Sequence, residues 1–264
     1  MNNRLIILAQ FDPNGGLPAH VRIHLERLRP LAGELVLASN SPLGADRARA
    51  HALCDRVIER KNIGWDFAAW RDALIPYDMT DWDEVVLTNS SIIGPLFPLA
   101  PIFEEMAARP CDFWGMVKSN HRGPHLQSYF LAFKAKTVRS QPWRDFWSGV
   151  EDVEGKYDVI KSYEVGLTGA IAKAGFTYEA YIPNKPFLKS IGLVHINRLQ
   201  RNIRVPWSEN HINRTVERHV ELIAEGMPYL KASLLWGKDV SRRRPLPEIK
   251  TIDGVAFPWE RIGF

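Results

Sequence analysis

An α/β fold built on a mostly parallel sheet is predicted by three features of the chain. Short apolar runs recur, among them Leu5-Ile6-Ile7-Leu8-Ala9, Leu35-Val36-Leu37-Ala38 and Val85-Val86-Leu87. Runs of this length read as strands buried on both faces. Segments of helical length lie between them, and strands alternating with helices at these spacings build parallel sheets. Two of the runs end in small polar residues, Ser39-Asn40 and Asn89-Ser90-Ser91, and in open α/β sheets ligands sit beyond the carboxyl ends of strands.

The first strand leads into Phe11-Asp12-Pro13-Asn14-Gly15-Gly16, a turn cluster by composition. It lacks the spaced glycines of a dinucleotide fingerprint, and no P-loop occurs elsewhere. Residues 18–29 read as a helix, with His20 and His24 four apart on one face. With no third ligand in view, these histidines are read as solvated. Residues 34–40 form a second strand, 45–53 a short helix and 56–59 a third strand, so the first 60 residues look like a Rossmann-like half-fold.

The next stretch joins strand to helix through Asn62 and Gly64, with Asp66 where the helix begins. Its ordinary role there is a helix cap; its functional role is to accept hydrogen bonds from ribose hydroxyls. The strand at 85–87 ends in Asn89-Ser90-Ser91, and Gly94-Pro95 closes the turn. That end is either a ligand site or a turn satisfied by its own side chains. A helix follows at 103–108, strands at 112–117 and 125–133, and a helix at 143–147. Residues 161–168 open a helix that runs to Ala174 and ends at Gly175, before a strand at 178–182. His195 follows a further apolar run, and 209–225 read as a long helix. The expected organisation is one domain over 1–236 and an extended arm over 237–264, rich in Pro and Arg.

Composition narrows the function. The chain has 264 residues, 45% hydrophobic and 24% charged, as soluble globules do. The 9 tryptophans read chiefly as core. Cys54 and Cys111 have no metal-ligand spacing and cannot make a disulfide framework, which fits a reducing compartment. No signal peptide or membrane span is read, so a cytoplasmic location is expected. The net charge of +4 favours anionic partners such as nucleoside diphosphates or phospholipid headgroups. Nucleic acid is not expected, because the basic residues are dispersed; the one tight run is Arg242-Arg243-Arg244, which suits peripheral contact with the inner membrane surface.

Five ordered pieces carry a family resemblance. They are Asn62-x-Gly64-x-Asp66-x-x-x-Trp70, Leu87-x-Asn89-x-Ser91-x-x-Gly94-Pro95, Asp112-Phe113-Trp114-Gly115, His125 to Phe130 with Phe146-Trp147, and Tyr163-Glu164-Val165-Gly166-Leu167. Pro228-Tyr229-Leu230-Lys231 is a weaker sixth. Over residues 4–236 the chain resembles the rhamnan synthesis protein F family of bacterial polysaccharide biosynthesis. The resemblance implies a Rossmann-like GT-A glycosyltransferase fold. It also implies transfer of rhamnose or a related deoxyhexose, with inversion, from a dTDP-, UDP- or GDP-linked donor to a glycan or lipid-linked glycan. The family's acidic triplet, usually Asn-Asp-Ser, holds a divalent metal (Mn or Mg); here it is Asn89-Ser90-Ser91, so the carboxylate is missing. A hydroxyl is a poor ligand for a hard cation, and Lys61, Arg71, Lys118 and Arg122 stand in segments where they can neutralise a diphosphate instead.

An inverting transfer needs a base for the acceptor hydroxyl and positive charge or dipoles at the leaving diphosphate. Glu164, at an expected helix start, is the first candidate base; its ordinary role is to favour the helix N-terminus. Asp112 is the second, with burial beside Trp114 expected to raise its pKa. Donor binding is assigned to Asn62, Gly64, Asp66, Asn89, Ser90 and Ser91, and acceptor binding to Gln127 and Ser128. Trp65 and Trp70 are read as core, and a metal role for His195 as secondary to a structural one. The missing carboxylate keeps a second function open, a non-catalytic GT-A-like module that binds a glycan or a protein.

Overall fold

The computed structural model describes residues 3–120, 123–183, 213–236 and 257–263. Its centre is an eight-stranded sheet, with strands numbered in chain order: β1 (Arg4–Gln10), β2 (Glu34–Ser39), β3 (Arg56–Glu59), β4 (Glu84–Asn89), β6 (Phe113–Ser119), β7 (His125–Leu126), β8 (Phe130–Lys134) and β9 (Tyr178–Ile182). The spatial order is β3-β2-β1-β4-β8-β6-β7, with β9 also on β6. The half from β3 to β4 is wholly parallel. Beyond it, β8 runs antiparallel to both β4 and β6, while β9 is parallel to β6. The fold is thus α/β, with a mostly parallel but mixed sheet. A separate two-stranded ribbon pairs β5 (Ile92–Ile93) with β10 (Leu230–Lys231).

The apolar runs explain why this sheet is buried on both sides. Side chains alternate along a strand. In β1, Ile6 and Leu8 join one core, while Leu5, Ile7 and Ala9 join the other. The first core is covered by α1 (Ala19–Leu28), α2 (Arg47–Leu53) and α4 (Ala100–Ala108). The second is covered by α3 (Trp65–Leu74), α5 (Ala135–Val138), α6 (Gln141–Ser148) and α8 (Val165–Lys173). Trp70, Trp114, Trp143 and Trp147 are all buried in these layers. A third cluster joins Ile23, Ile93 and Leu96 to Leu230, Leu234 and Phe257. The segment Phe257–Gly263 therefore lies against α1, where Arg261 pairs with Glu26 at 2.9 Å.

Three expectations change here. The stretch 125–133 is two strands, because Gln127 to Tyr129 leave the ladder between β7 and β8. His20 and His24 are buried, 9% and 1% exposed, not solvated. Their helix face meets the distant segment 229–236: His24 Nε2 shares a 3.0 Å hydrogen bond with the Tyr229 hydroxyl, and His20 packs on Trp236. Glu164 does not open a helix. It is the last residue of a π-helical turn, Ile160–Glu164, between α7 (Lys156–Val159) and α8. His195, Arg122 and Arg242 to Arg244 lie outside the described residues.

Candidate functional site

The site grows from the carboxyl end of β4. Asn89 ends the strand, and its Oδ1 accepts from Ser91 N at 3.1 Å and Ser91 Oγ at 2.5 Å. This side-chain turn reverses the chain without a helix or long loop. Ser90 N donates to the Ala9 carbonyl at 2.9 Å, so the turn stays on the sheet by β1. Ser90 Oγ accepts from Phe11 N at 3.3 Å, and the Ser90 carbonyl accepts from His20 Nε2 at 3.0 Å. Burial pushes both imidazoles below their usual range, His24 to about 3; at His20 the Ser90 carbonyl only partly offsets this.

A second wall comes from the loop before α3. Gly64 is left-handed at φ +73, and a Cβ there would stand 2.4 Å from Ala68 Cβ, so a side chain has no room. Trp65 follows at φ +55, a region that non-glycine residues rarely occupy. Its carbonyl accepts from Asn40 Nδ2 at 3.1 Å, and its indole donates to the Glu154 carbonyl at 3.2 Å. Such backbone persists only where its surroundings over-determine it, and it gathers at functional sites. Asp66 lies in the first turn of α3. It does not cap the helix; its Oδ2 accepts from Asn89 Nδ2 at 2.8 Å.

The third wall is the helix pair around Glu164. Its Oε1 accepts from Ser128 N at 3.1 Å and Ser128 Oγ at 2.9 Å. Turns of π-helix are rare and frequent at functional sites. Lys231, carried by β10, completes the ring, with Nζ 3.2 Å from Ser91 Oγ and 4.5 Å from the centre of the Tyr129 ring. Together these residues line a cleft of about 370 Å³, with Asn62, Asp66, Asn89, Ser90, Ser91, Ser128, Glu164 and Lys231 on its surface.

The predicted residues divide accordingly. Asn62, Asp66, Asn89, Ser90, Ser91, Ser128 and Glu164 share the cleft, and Gly64 shapes the loop behind it. Gln127 turns away, donating to Asn213 Oδ1 at 3.1 Å and accepting from Thr215 Oγ1 at 3.0 Å. Asp112 is at the wrong end. Phe113 pairs with Phe133, and Phe133 with Val85, so Asp112 stands roughly 15 Å of strand from Asn89. Its carboxylate takes Lys136 Nζ at 2.8 Å and Thr177 N at 2.8 Å. Burial alone pushes this carboxyl up, but Lys136 and Thr177 outweigh it and hold the pKa down, opposite to expectation. Arg71 and Lys118 are engaged elsewhere, on Asp152 and on the Tyr178 carbonyl. Trp70 is core and donates to the Thr88 carbonyl, whereas Trp65 lines the cleft. Lys231 also lines the cleft, and its one signal in the sequence is the Pro228-to-Lys231 match.

Among the described residues, no three His, Cys, Asp or Glu side chains come together as metal ligands. The turn after β4 offers an amide oxygen and hydroxyls, and Glu164 Oε1 is already bonded twice. With no carboxylate on the turn itself, and with Asp66 bonded to Asn89 and Glu164 to Ser128, these side chains do not gather the oxygen donors that a hard dication takes.

The model of the family described as rhamnan synthesis protein F matches residues 35–198, more than half of the chain. Protein y4gN of Sinorhizobium fredii is 28% identical over 207 residues, covering 76% of this chain and 53% of that one. Virulence protein VirA of Vibrio anguillarum is 25% identical over 204 residues, covering 69% and 62%. The chain thus spans less than two thirds of the length of either curated relative. Among solved structures, glucosyl-3-phosphoglycerate synthase from Mycobacterium tuberculosis, crystallised with Mn2+, UDP and glucosyl-3-phosphoglycerate, aligns with a TM-score of 0.43 at 14% identity, covering 78% of this chain and 82% of that one. By the extent of the family match, the chain belongs to the rhamnan synthesis protein F family.

Proposed function

We propose that this chain is a GT-A-type glycosyltransferase that moves a deoxyhexose such as rhamnose from a nucleoside diphosphate to a glycan hydroxyl, in bacterial surface polysaccharide synthesis. The observation that carries this reading is the cleft itself. It lies beyond the carboxyl end of β4, where α/β sheets bind ligands. A hydroxyl- and amide-rich turn stands on one side and the Glu164 carboxylate on another. The nucleotide sits against Asn62, Asp66 and the turn at 89–91, and the acceptor approaches Glu164 past Ser128.

The chemistry is a single displacement with inversion. The acceptor oxygen bonds to the anomeric carbon while the bond from that carbon to the phosphate oxygen breaks. The electron pair leaves on the diphosphate, and the acceptor proton passes to Glu164. Ser128 fixes Glu164 Oε1 with two hydrogen bonds, which leaves Oε2 to take the proton. Positioned proton transfer of this kind contributes about 10²–10⁴-fold.

The reaction is placed at the cytoplasmic face of the membrane, with residues 1–236 as the catalytic unit and 237–264 as an arm. Both cysteines are free and buried, in keeping with a reducing compartment. Among the described residues no helix is long and apolar enough to cross a membrane. Calorimetry with dTDP, UDP and GDP tests the donor site, and one of the three is expected to bind. Failure of all three with folded protein overturns the reading. The carboxylate-free turn favours the second reading, a module that binds glycan without turning over. Donor hydrolysis separates the two, since only the enzyme releases free nucleoside diphosphate.

A further inference from the structure

We propose that Lys231 neutralises the leaving phosphate, the task a dication would otherwise perform, so that this cleft works without a metal. The inference rests on the nucleoside diphosphate reading above. It starts from a mismatch: the turn at Asn89 to Ser91 presents neutral oxygens, and the described residues form no metal-ligand cluster. A diphosphate entering this cleft meets two carboxylates, Asp66 and Glu164, and Lys231 is the one cation lining it among the described residues.

The fold takes trouble to put Lys231 there. Its strand is remote in sequence, yet β10 pairs antiparallel with β5, placing Lys231 opposite Ile92 and Leu230 opposite Ile93. Two backbone bonds clamp the register: Leu96 N to the Pro228 carbonyl at 2.6 Å and Ala232 N to the Ser91 carbonyl at 2.9 Å. Leu230 anchors the strand from below, 1% exposed in the third apolar cluster. The ammonium is thus delivered to the serine that closes the β4 turn, 3.2 Å from Ser91 Oγ. The Tyr129 ring beneath it, 1% exposed, presents an aromatic face that favours a cation. Burial keeps the Tyr129 phenol protonated, so the ring beneath the ammonium stays neutral. As the bond from the anomeric carbon to the phosphate oxygen breaks, the negative charge grows on that oxygen. A fixed ammonium beside it stabilises the separated charge without gaining or losing a proton.

The test compares Lys231→Met with Lys231→Arg, using UDP, dTDP and GDP against the corresponding nucleosides. Loss of a charge-assisted contact is expected to weaken the bound diphosphate by about 10–100-fold in Lys231→Met. Nucleoside affinity should stay unchanged, and Lys231→Arg should keep most of the diphosphate affinity. A chelator should leave wild-type binding as it was. Melting temperatures check that the variants fold. The chelator arm needs only wild-type protein, so it decides even if Lys231→Met does not fold. Lys231→Met binding diphosphate like wild type overturns the proposal and leaves the glycosyltransferase reading standing. So does wild-type binding that a chelator abolishes and manganese restores. Wild type that binds no diphosphate at all overturns both.

Discussion

Asp112 and Glu164 are the same kind of side chain at opposite ends of one sheet, and their partners differ in kind. Asp112 is met by the Lys136 ammonium and by two donors of Thr177. Nearby Glu84, 5% exposed, is met by Arg4 at 2.7 Å and by the Trp114 indole at 3.1 Å. At this end carboxylates are cancelled by cations, and they tie strands together. Among the described residues, Glu164 is held by the two neutral donors of Ser128. A neutral hydrogen bond fixes the direction of a carboxylate and leaves its charge in place. One end of the sheet uses its acids as fasteners; the other orients the proposed base without a cation beside it.

The sharpest way to break this contrast is to neutralise each acid in turn. Glu164→Gln preserves size and keeps an oxygen for Ser128. Turnover is expected to fall by about 10²–10⁴-fold with donor affinity nearly unchanged. Steady-state rates alongside nucleotide calorimetry check both halves. A Glu164→Gln protein that turns over normally removes the functional half of the comparison.

The two ends were not equally legible in the sequence. Strands β1, β2 and β4 could be read because burial on both faces makes them continuous apolar runs, and their polar ends fell where the cleft is. The direction of β8 could not, because an apolar run looks alike whichever way it crosses the sheet. The burial of His20 and His24 was hidden for another reason. Their cover, Tyr229 and Trp236, comes from some two hundred residues away, and spacing within a helix says nothing about such a partner. Asp112 misled because its neighbour Trp114 suggested desolvation, while the decisive neighbours, Lys136 and Thr177, are distant in sequence. Lys231 was missed because a lone lysine on a two-residue strand has no periodicity to read.

Acid distinguishes the ends in a second way. Burial holds the folded pKa of His24 near 3, far below the 6.5 of a free imidazole, and lowers that of His20 too. A depressed histidine binds its proton better when unfolded. Its contribution to stability is therefore complete above pH 6.5 and is lost as pH falls toward 3. The loss is about 1.4 kcal/mol per pH unit for a group titrating fully. The segment 229–236, which rests on these histidines, should loosen between pH 6.5 and 4.5. Hydrogen exchange of the Leu96 and Ala232 amides, corrected for intrinsic rate, should rise before that of the Thr177 amide. His24→Gln should flatten most of the slope. Simultaneous loss of protection at both ends would show that acid does not act through the histidines.

The smallest effect belongs to Asp112, and its smallness is the point. Lys136 is 68% exposed, so water and salt screen the pair, while the Asp112 side chain is 14% exposed and holds Thr177 in place. Asp112→Asn keeps an oxygen for one Thr177 donor but turns an amide toward the other or toward Lys136. The expected cost is about 1–2 kcal/mol, most of it from the hydrogen bonds and little from the ion pair. The folded carboxyl is held below the 3.8 of a free aspartate, so the stabilisation is present above that pH and fades as pH falls through the lower folded value. Denaturant midpoints for wild type and Asp112→Asn should therefore differ at pH 7 and draw together in strong acid. Activity per folded molecule should not change, because the cleft lies at the far end of β4. An Asp112→Asn protein that is fully stable but slow would reverse the roles assigned to the two carboxylates, and the search for the base would return to this end of the sheet.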